Sequence, residues 1–365
     1  MKVVVLDFGN LSNRDLNIEA LNALGDVTIY EHNPETSEET IELIGDSQIV
    51  LSNYTIIDRE VIDACKNIKY IGLLSTGYNT VDVKHAKEKN IVVTNVPVYG
   101  SEIVGQFAIA MLLEICHRIG YHAEKVQEGE WSFWEYPLIE LNNKTMGIVG
   151  YGNIGAVTAN IARALGMKII SYTAHPKEGI EGVEFVSLDE LYKRSDVVSL
   201  HLPLFESTEK MINKESISKM KDGAILLNVS RGGLVNEEDL ADALNSGKLF
   251  AAGLDVVSKE PIEKDNPLLK VKNCIITPHM AWAAKEARQR LLDTAVDNVE
   301  KFYKGHLVNT VNWKKWWTRN CPPLYLCHYQ IVFSKQELLF PALLLLYHLH
   351  NLVLLGQSRN TLRFF

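Results

Sequence analysis

Three side chains of complementary chemistry stand just past three apolar runs in the second half of the chain. Arg231 follows "GAILLNV", Glu260 follows "FAAGLDV" and His279 follows "NCIITP". If those runs are parallel strands of one sheet, all three lie at its carboxyl edge, where such sheets bind ligands. A guanidinium grips a carboxylate through two parallel bonds. A histidine can give a proton to an oxygen that is becoming an alcohol, and a glutamate can orient the imidazole and favour its charged form. Together these are the groups that reduction of a 2-oxo acid requires. Singly, each has an ordinary reading: a loop cation, a surface acid before Pro261 and a histidine that merely ends a strand. Their coincidence at three ends of one sheet is what points to a site.

A second pattern lies upstream. "GYGNIG", residues 150–155, ends an apolar run and opens an amphipathic helical stretch that closes at Gly166. In a phosphate-binding turn of this spacing, Gly150 permits the tight bend. Gly152 lets backbone approach a pyrophosphate, and Gly155 lets helix pack on strand. The diphosphate would rest on N–H groups around Asn153 and Ile154 at the helix start. Eighteen residues past Gly155, where an acid commonly binds the adenosine ribose, the chain has Thr173. A threonine can bond a ribose hydroxyl but carries no charge to repel a 2′-phosphate. His175 and Lys177 nearby make no arginine fork. NAD is therefore expected, with NADP an open alternative.

These residues need a scaffold, and the alternation of short β-branched runs with helical stretches supplies one. "KVVVLDF", "VTIY", "QIVLS", "YIGLLS" and "IVVTNV" form one series, with a helical pattern over Asp15–Leu24 after the first. A second begins at residue 145 and has six runs: "TMGIVG", "MKIISY", "DVVSLHL", "GAILLNV", "FAAGLDV" and "NCIITP". The expected fold is α/β with two Rossmann-like domains. One is a doubly wound parallel-sheet dinucleotide-binding domain over residues 99–284. The other is a smaller flavodoxin-like substrate domain made of 1–98 plus 285–312. Apolar and charged helical stretches, Glu102–Tyr121 and Lys285–Tyr303, are expected to connect them.

From Trp313 the character changes. Three of the six tryptophans fall within five residues, and no α/β alternation continues. Residues 313–365 carry a net +5 against −13 for residues 1–312, together the −8 of the chain. An acidic body disfavours nucleic acid. The run "LLFPALLLLYHLHNLVLL" is short for a membrane span and is interrupted by Pro341, His348, His350 and Asn351. No membrane partner is expected, and the tail reads as a read-through end or an association-prone extension. Cys65, Cys116, Cys274, Cys321 and Cys327 show no metal-ligand spacing, so no metal site is expected and a reducing cytoplasm is. "MKVVVLDFGN" is too short an apolar run for a signal peptide.

With these residues in place the chain resembles a known family. "NVSRGGLVNEEDLADAL", "AAGLDVVSKEP" and "ITPHMAWAAKEARQR" are similar to the D-isomer-specific 2-hydroxyacid dehydrogenases. "LLSTGYNTVD" and "FWEYPLIEL" resemble their glycerate dehydrogenase (hydroxypyruvate reductase) branch over residues 1–312. The resemblance implies that Arg231 binds substrate, His279 is the acid/base and Glu260 its partner. It implies that Asp255 contacts the nicotinamide carboxamide. The resemblance also has the backbone around Ser75, Thr76, Gly77 and Tyr78 line the substrate carboxylate. It implies a homodimer built through the cofactor domain and hinge closure over the substrate. Apart from the resemblance, the place of Trp282 just after His279 suggests a pocket wall that limits substrate size, or else a simply packed aromatic. Thr173 departs from the family's usual acid, and Gln106 stands where many relatives have glutamate. Hydroxypyruvate/D-glycerate is the first expectation, with glyoxylate/glycolate or D-lactate chemistry as alternatives. A nicotinamide-sensing, corepressor-like binding protein is the alternative from another class.

Overall fold

The computed structural model describes residues 1–174 and 179–313, and the fold below is that of the unit Met1–Asn312. His175, Lys177 and the stretch from Lys314 on, with Cys321, Cys327 and the long apolar run, lie outside the described residues.

Two parallel sheets account for the strand-like runs. The first contains β1 (Lys2–Val5), β2 (Asp26–Ile29), β3 (Ile49–Ser52), β4 (Tyr70–Leu73) and β5 (Val92–Thr94), in the order β2-β1-β3-β4-β5. That is the flavodoxin-like order. The second contains β6 (Thr145–Val149), β7 (Lys168–Tyr172), β8 (Val183–Phe185), β9 (Val197–Leu200), β10 (Ala224–Asn228), β11 (Leu249–Leu254) and β12 (Cys274–Ile276). Its order, β12-β11-β10-β9-β6-β7-β8, reverses between β6 and β9. This is the doubly wound arrangement with one strand more than the six expected. The extra strand is β8, three half-buried or exposed residues paired with β7 at the sheet edge, too short to show an apolar period.

The long runs without alternation are strands buried on both faces. Along β10, Ile225 and Leu227 enter one core cluster while Ala224 and Leu226 enter the opposite one. The helix Ser101–His117 packs on one face against the helix Asn153–Ala164 and β11. Gly253 allows this approach, because a Cβ there would lie 2.8 Å from Met111.

Helix Lys285–Tyr303 returns the chain to the first sheet. Its Phe302 ring lies 4.9 Å from that of Tyr70, and Asn298 donates to the carbonyl of Asn95 at 3.1 Å. Val311 then pairs with Val93.

Two helical expectations change. The pattern over Asp15–Leu24 yields only Glu19–Asn22. Asp15 is instead drawn into a paired contact with Arg288, at 2.8 and 2.7 Å, and the Asn17 side chain accepts from Glu19 N–H. The stretch Glu102–Tyr121 breaks at Arg118, whose φ of 50° leaves the helical region; a second helix runs Ile119–Gln127, bent by 53°. The Arg118 guanidinium bonds Asn273 and lies over the Tyr136 ring. Among the described residues no single helix is long and apolar enough to cross a membrane.

A buried acid anchors the first sheet. Asp7, fully buried just past β1, accepts hydrogen bonds from Ser52 Oγ, Asn53 N, Tyr54 N, Thr55 N and Thr55 Oγ1. It fixes the loop after β3 to the end of β1. Removing the carboxylate strands several buried donors, each costing about 1–3 kcal/mol. Asp7→Ala is therefore expected to lower unfolding free energy by at least about 3 kcal/mol in urea titration; a loss under about 1 kcal/mol would refute the anchoring role.

Candidate active site

The glycine turn follows β6 directly. Gly150 has φ +100°, and a Cβ there would lie 2.4 Å from the carbonyl oxygen of His201. A Cβ on Gly155 would lie 2.3 Å from the Gly150 carbonyl oxygen, so helix and strand touch backbone to backbone. Gly152 differs: a Cβ there would meet nothing within 4 Å. It caps the helix Asn153–Ala164 with no side-chain hydrogen bond, so the first-turn N–H groups around Asn153 and Ile154 have no side-chain cap. An open cradle over an uncapped helix start fits a diphosphate. Thr173, half-buried, is the first residue past β7.

Across the switch point, the loops after β10, β11 and β12 meet. Arg231 is exposed, and its Nη1 donates to the Ser230 carbonyl at 2.7 Å. Asn228 braces that loop by donating to the Arg231 carbonyl and accepting from Ser230 N–H. Gly232 brings it hard against the next loop, where a Cβ would lie 1.9 Å from the Val257 carbonyl carbon. That loop carries Glu260, whose Oε2 is 2.7 Å from His279 Nδ1. Oε1 accepts from Val257 N–H at 3.2 Å. Burial works to raise the Glu260 carboxyl, but the bond to His279, the Val257 N–H and the Arg231 guanidinium together outweigh it, so the group sits below its ordinary range. With Nδ1 engaged, His279 Nε2 is the ring nitrogen left for a substrate.

His279 has φ +52°, the left-handed region. A non-glycine residue there costs roughly 1–2 kcal/mol and persists only where its surroundings impose it. The imposing group is Asp255, 1% exposed at the end of β11. Its carboxylate accepts from Thr277 Oγ1 at 2.6 Å, Met280 N at 2.9 Å and Ala281 N at 2.8 Å. Its carbonyl accepts from His279 N–H at 2.8 Å. Burial pushes the Asp255 carboxyl upward against the pull of those bonds. His201 is no competing proton donor: burial pushes it down to about 3, and Nε2 is 2.8 Å from Ser199 Oγ.

The first sheet supplies the opposite wall. Past β4, Ser75 Oγ donates to the Gly77 carbonyl, Thr76 Oγ1 donates to the Val96 carbonyl, and Asn95 donates to the Thr76 carbonyl. This ties the turn Ser75–Tyr78 down, with Tyr78 half-exposed. A Cβ on Gly77 would lie 3.8 Å from Arg231 Nη2, so the turn faces the guanidinium across the two sheets. Trp282, half-buried, packs with Val104, Ala108, Val229 and Ala281.

The residues singled out in the sequence thus fall into two neighbouring groups. The glycine turn and Thr173 sit on one side of the switch point. Arg231, Glu260, His279, Asp255 and Trp282 sit on the other, with Ser75–Tyr78 opposite. Asp7, Tyr54 and Thr277 escape a reading of the sequence. Tyr54 lies beside Glu260, Asp255 and Trp282, and burial with those carboxylates pushes its hydroxyl upward. Its one signal is position, two residues past β3 at the same carboxyl edge. Among the described residues no group of three or more His, Cys, Asp or Glu could hold a metal ion.

A sheet with a reversing order, a diphosphate cradle and a paired histidine define a nicotinamide-dependent oxidoreductase. The family model for the D-isomer specific 2-hydroxyacid dehydrogenase, NAD binding domain, matches residues 109–281. The chain is 56% identical to a hydroxypyruvate reductase of Blautia hydrogenotrophica, over 86% of this chain and 100% of that protein. It is 36% identical to a glycerate dehydrogenase of Methylorubrum extorquens, over 85% and 98%. The TT0316 protein of Thermus thermophilus, a solved structure, superposes with a TM-score of 0.76 at 35% identity, over 85% of this chain and 100% of that one. The chain belongs to the D-isomer-specific 2-hydroxyacid dehydrogenase family.

The backbone contact at Gly155 makes a direct test of the cradle. Gly155→Ala is expected to weaken NADH binding, read by fluorescence titration, about tenfold or more, a loss of about 1.4 kcal/mol. Unchanged affinity would remove the turn from the cofactor site.

Proposed function

We propose that this enzyme reduces hydroxypyruvate to D-glycerate, with NAD preferred over NADP. The observation that carries the reading is the His279–Glu260 pair, 2.7 Å apart, with Arg231 on the neighbouring loop and Gly77 facing it. The 56% identity to a hydroxypyruvate reductase supports the choice of keto acid.

The nicotinamide, when bound, supplies the hydride that reduces the carbonyl carbon. This chain does the rest. Arg231 grips the substrate carboxylate, and the N–H groups of the Ser75–Tyr78 turn complete its cradle. His279 holds a proton at Nε2 and gives it to the carbonyl oxygen as the alcohol forms. Glu260 keeps Nδ1 bonded, which fixes the ring. Asp255 would lie beside the nicotinamide carboxamide when the cofactor is bound, its carboxylate holding the 277–281 loop, and Trp282 borders the pocket.

A division into 1–98 plus 285–312 for substrate and 99–284 for cofactor is supported by the return of Lys285–Asn312 to the first sheet. We further read the enzyme as a cytoplasmic homodimer. The free thiols Cys65, Cys116 and Cys274 support the compartment. The strongly exposed Trp131 and Trp134, on the segment leading into β6, support a subunit contact through the cofactor half.

Initial rates at 340 nm with hydroxypyruvate, glyoxylate, pyruvate and phosphohydroxypyruvate test the reading. Hydroxypyruvate with NADH is expected to be fastest; a clear preference for another acid overturns the choice of substrate. His279→Ala should lower turnover by about 10²–10⁴-fold and leave NADH affinity within a few fold. Equal loss of both would sink its role. Thr173→Asp should abolish whatever NADPH activity the wild type shows and spare NADH, since a carboxylate repels the 2′-phosphate. NADPH turnover surviving in that variant would exclude Thr173 from the ribose site.

A further inference from the structure

The indole N–H of Trp282 donates to the backbone carbonyl of His279 at 2.9 Å. The indole has little freedom of its own. Its ring packs in a cluster with Val104 and Ala108 of the helix Ser101–His117, and with Val229 and Ala281. Its Cβ lies 4.0 Å from where a side chain on Gly100 would begin. The tryptophan is thus a fixed point that reaches back three residues to the main chain of the proton donor.

His279 needs such a point. Its φ of +52° is imposed from both sides of the residue. On the amino side, its N–H is shared between the carbonyls of Asp255 and Thr277, at 2.8 and 2.9 Å. On the carboxyl side, Asp255 holds the N–H groups of Met280 and Ala281, while Trp282 holds the carbonyl of His279 itself. Glu260 anchors only one atom of the ring, Nδ1. A ring tethered at one nitrogen still swings unless its backbone is fixed, and the arc is traced by Nε2, the atom that must meet the keto oxygen.

We propose that Trp282 is a positioning residue: through its indole N–H it holds the main chain of His279 and so aims Nε2. This rests on the functional reading above. It adds a duty distinct from bordering the pocket, since the indole N–H reaches the His279 carbonyl at 2.9 Å, with the Tyr54 side chain also within its reach.

Trp282→Phe removes the donor and keeps an aromatic ring for the cluster. Its turnover of hydroxypyruvate is expected to fall about fivefold to tenfold, as one lost hydrogen bond implies. KM for the acid and NADH affinity should stay within about twofold. The solvent isotope effect on kcat should rise, because proton delivery becomes slower. Unchanged kcat overturns the proposal. So does retained kcat with a shift of preference towards bulkier 2-oxo acids, which is the signature of a size-limiting wall. Should the variant fail to fold, benzothienylalanine at position 282 replaces only the N–H by sulfur and carries the same expectations. A readout without turnover separates this proposal from the functional reading. The ring Cε1–H resonance of His279, assigned with His279→Ala, should shift or broaden in Trp282→Phe, and an unmoved signal overturns the proposal. A moved signal in an enzyme whose wild type reduces no 2-oxo acid overturns the functional reading alone.

Discussion

A carboxylate inside a protein is tolerated when donors surround it, and the loop after β12 is shaped by that demand. Asp255 stands at the end of β11, between β10 and β12, where the sheet leaves it no freedom to reach water. Thr277, Met280 and Ala281 converge on its two oxygens, and the chain can bring three donors there only by turning sharply between them. His279 occupies that turn, which accounts for its left-handed backbone, and its ring meets Glu260. The first sheet repeats the device with Asp7, whose five hydrogen bonds shape the loop that presents Tyr54. Both halves of the site therefore stand on a buried acid at a strand end.

Much of this architecture is legible in the sequence because it depends on local pattern. Apolar runs such as "GAILLNV" identify central strands, since a strand covered on both faces needs apolar side chains at every position. Gly166, with φ +82°, ends its helix where the pattern suggests. Arg231, Glu260 and His279 are readable because each immediately follows such a run. What escapes reading is set by contacts between residues far apart in the chain. The helix near Asp15 is curtailed by Arg288, 273 positions away, and the bend at Arg118 accompanies a bond to Asn273, 155 positions away. β8 is too short to carry a period. Tyr54 and Thr277 look like ordinary loop residues until the buried acids that hold them are known. Family resemblance alone points to Asp255, and only as a cofactor contact. Its grip on the 277–281 loop is made by donors 22 to 26 positions away, which no local pattern announces.

The electrostatics of the site run against those of the chain. Residues 1–312 carry a net −13, an unfavourable background for an anionic keto acid. In the proposed site the local cation that offsets this background is the exposed guanidinium of Arg231, beside the His279 ring bonded to Glu260. Paired acids nearby do not cancel this, because Glu260 is committed to His279 and Asp255 is enclosed by its own donors.

Gly77 and Arg231 face each other from different sheets, and this partition has a consequence for how the family can diversify. His279, Glu260 and the glycine turn, to which the proposed reading gives proton delivery and the diphosphate, belong to one scaffold, while Tyr54 and Tyr78 belong to another with its own core. Mutation on the second scaffold can reshape which side chain of an acid is welcome and leave proton delivery intact. A lineage built this way can trade one metabolite for another by small steps, each intermediate still a working catalyst.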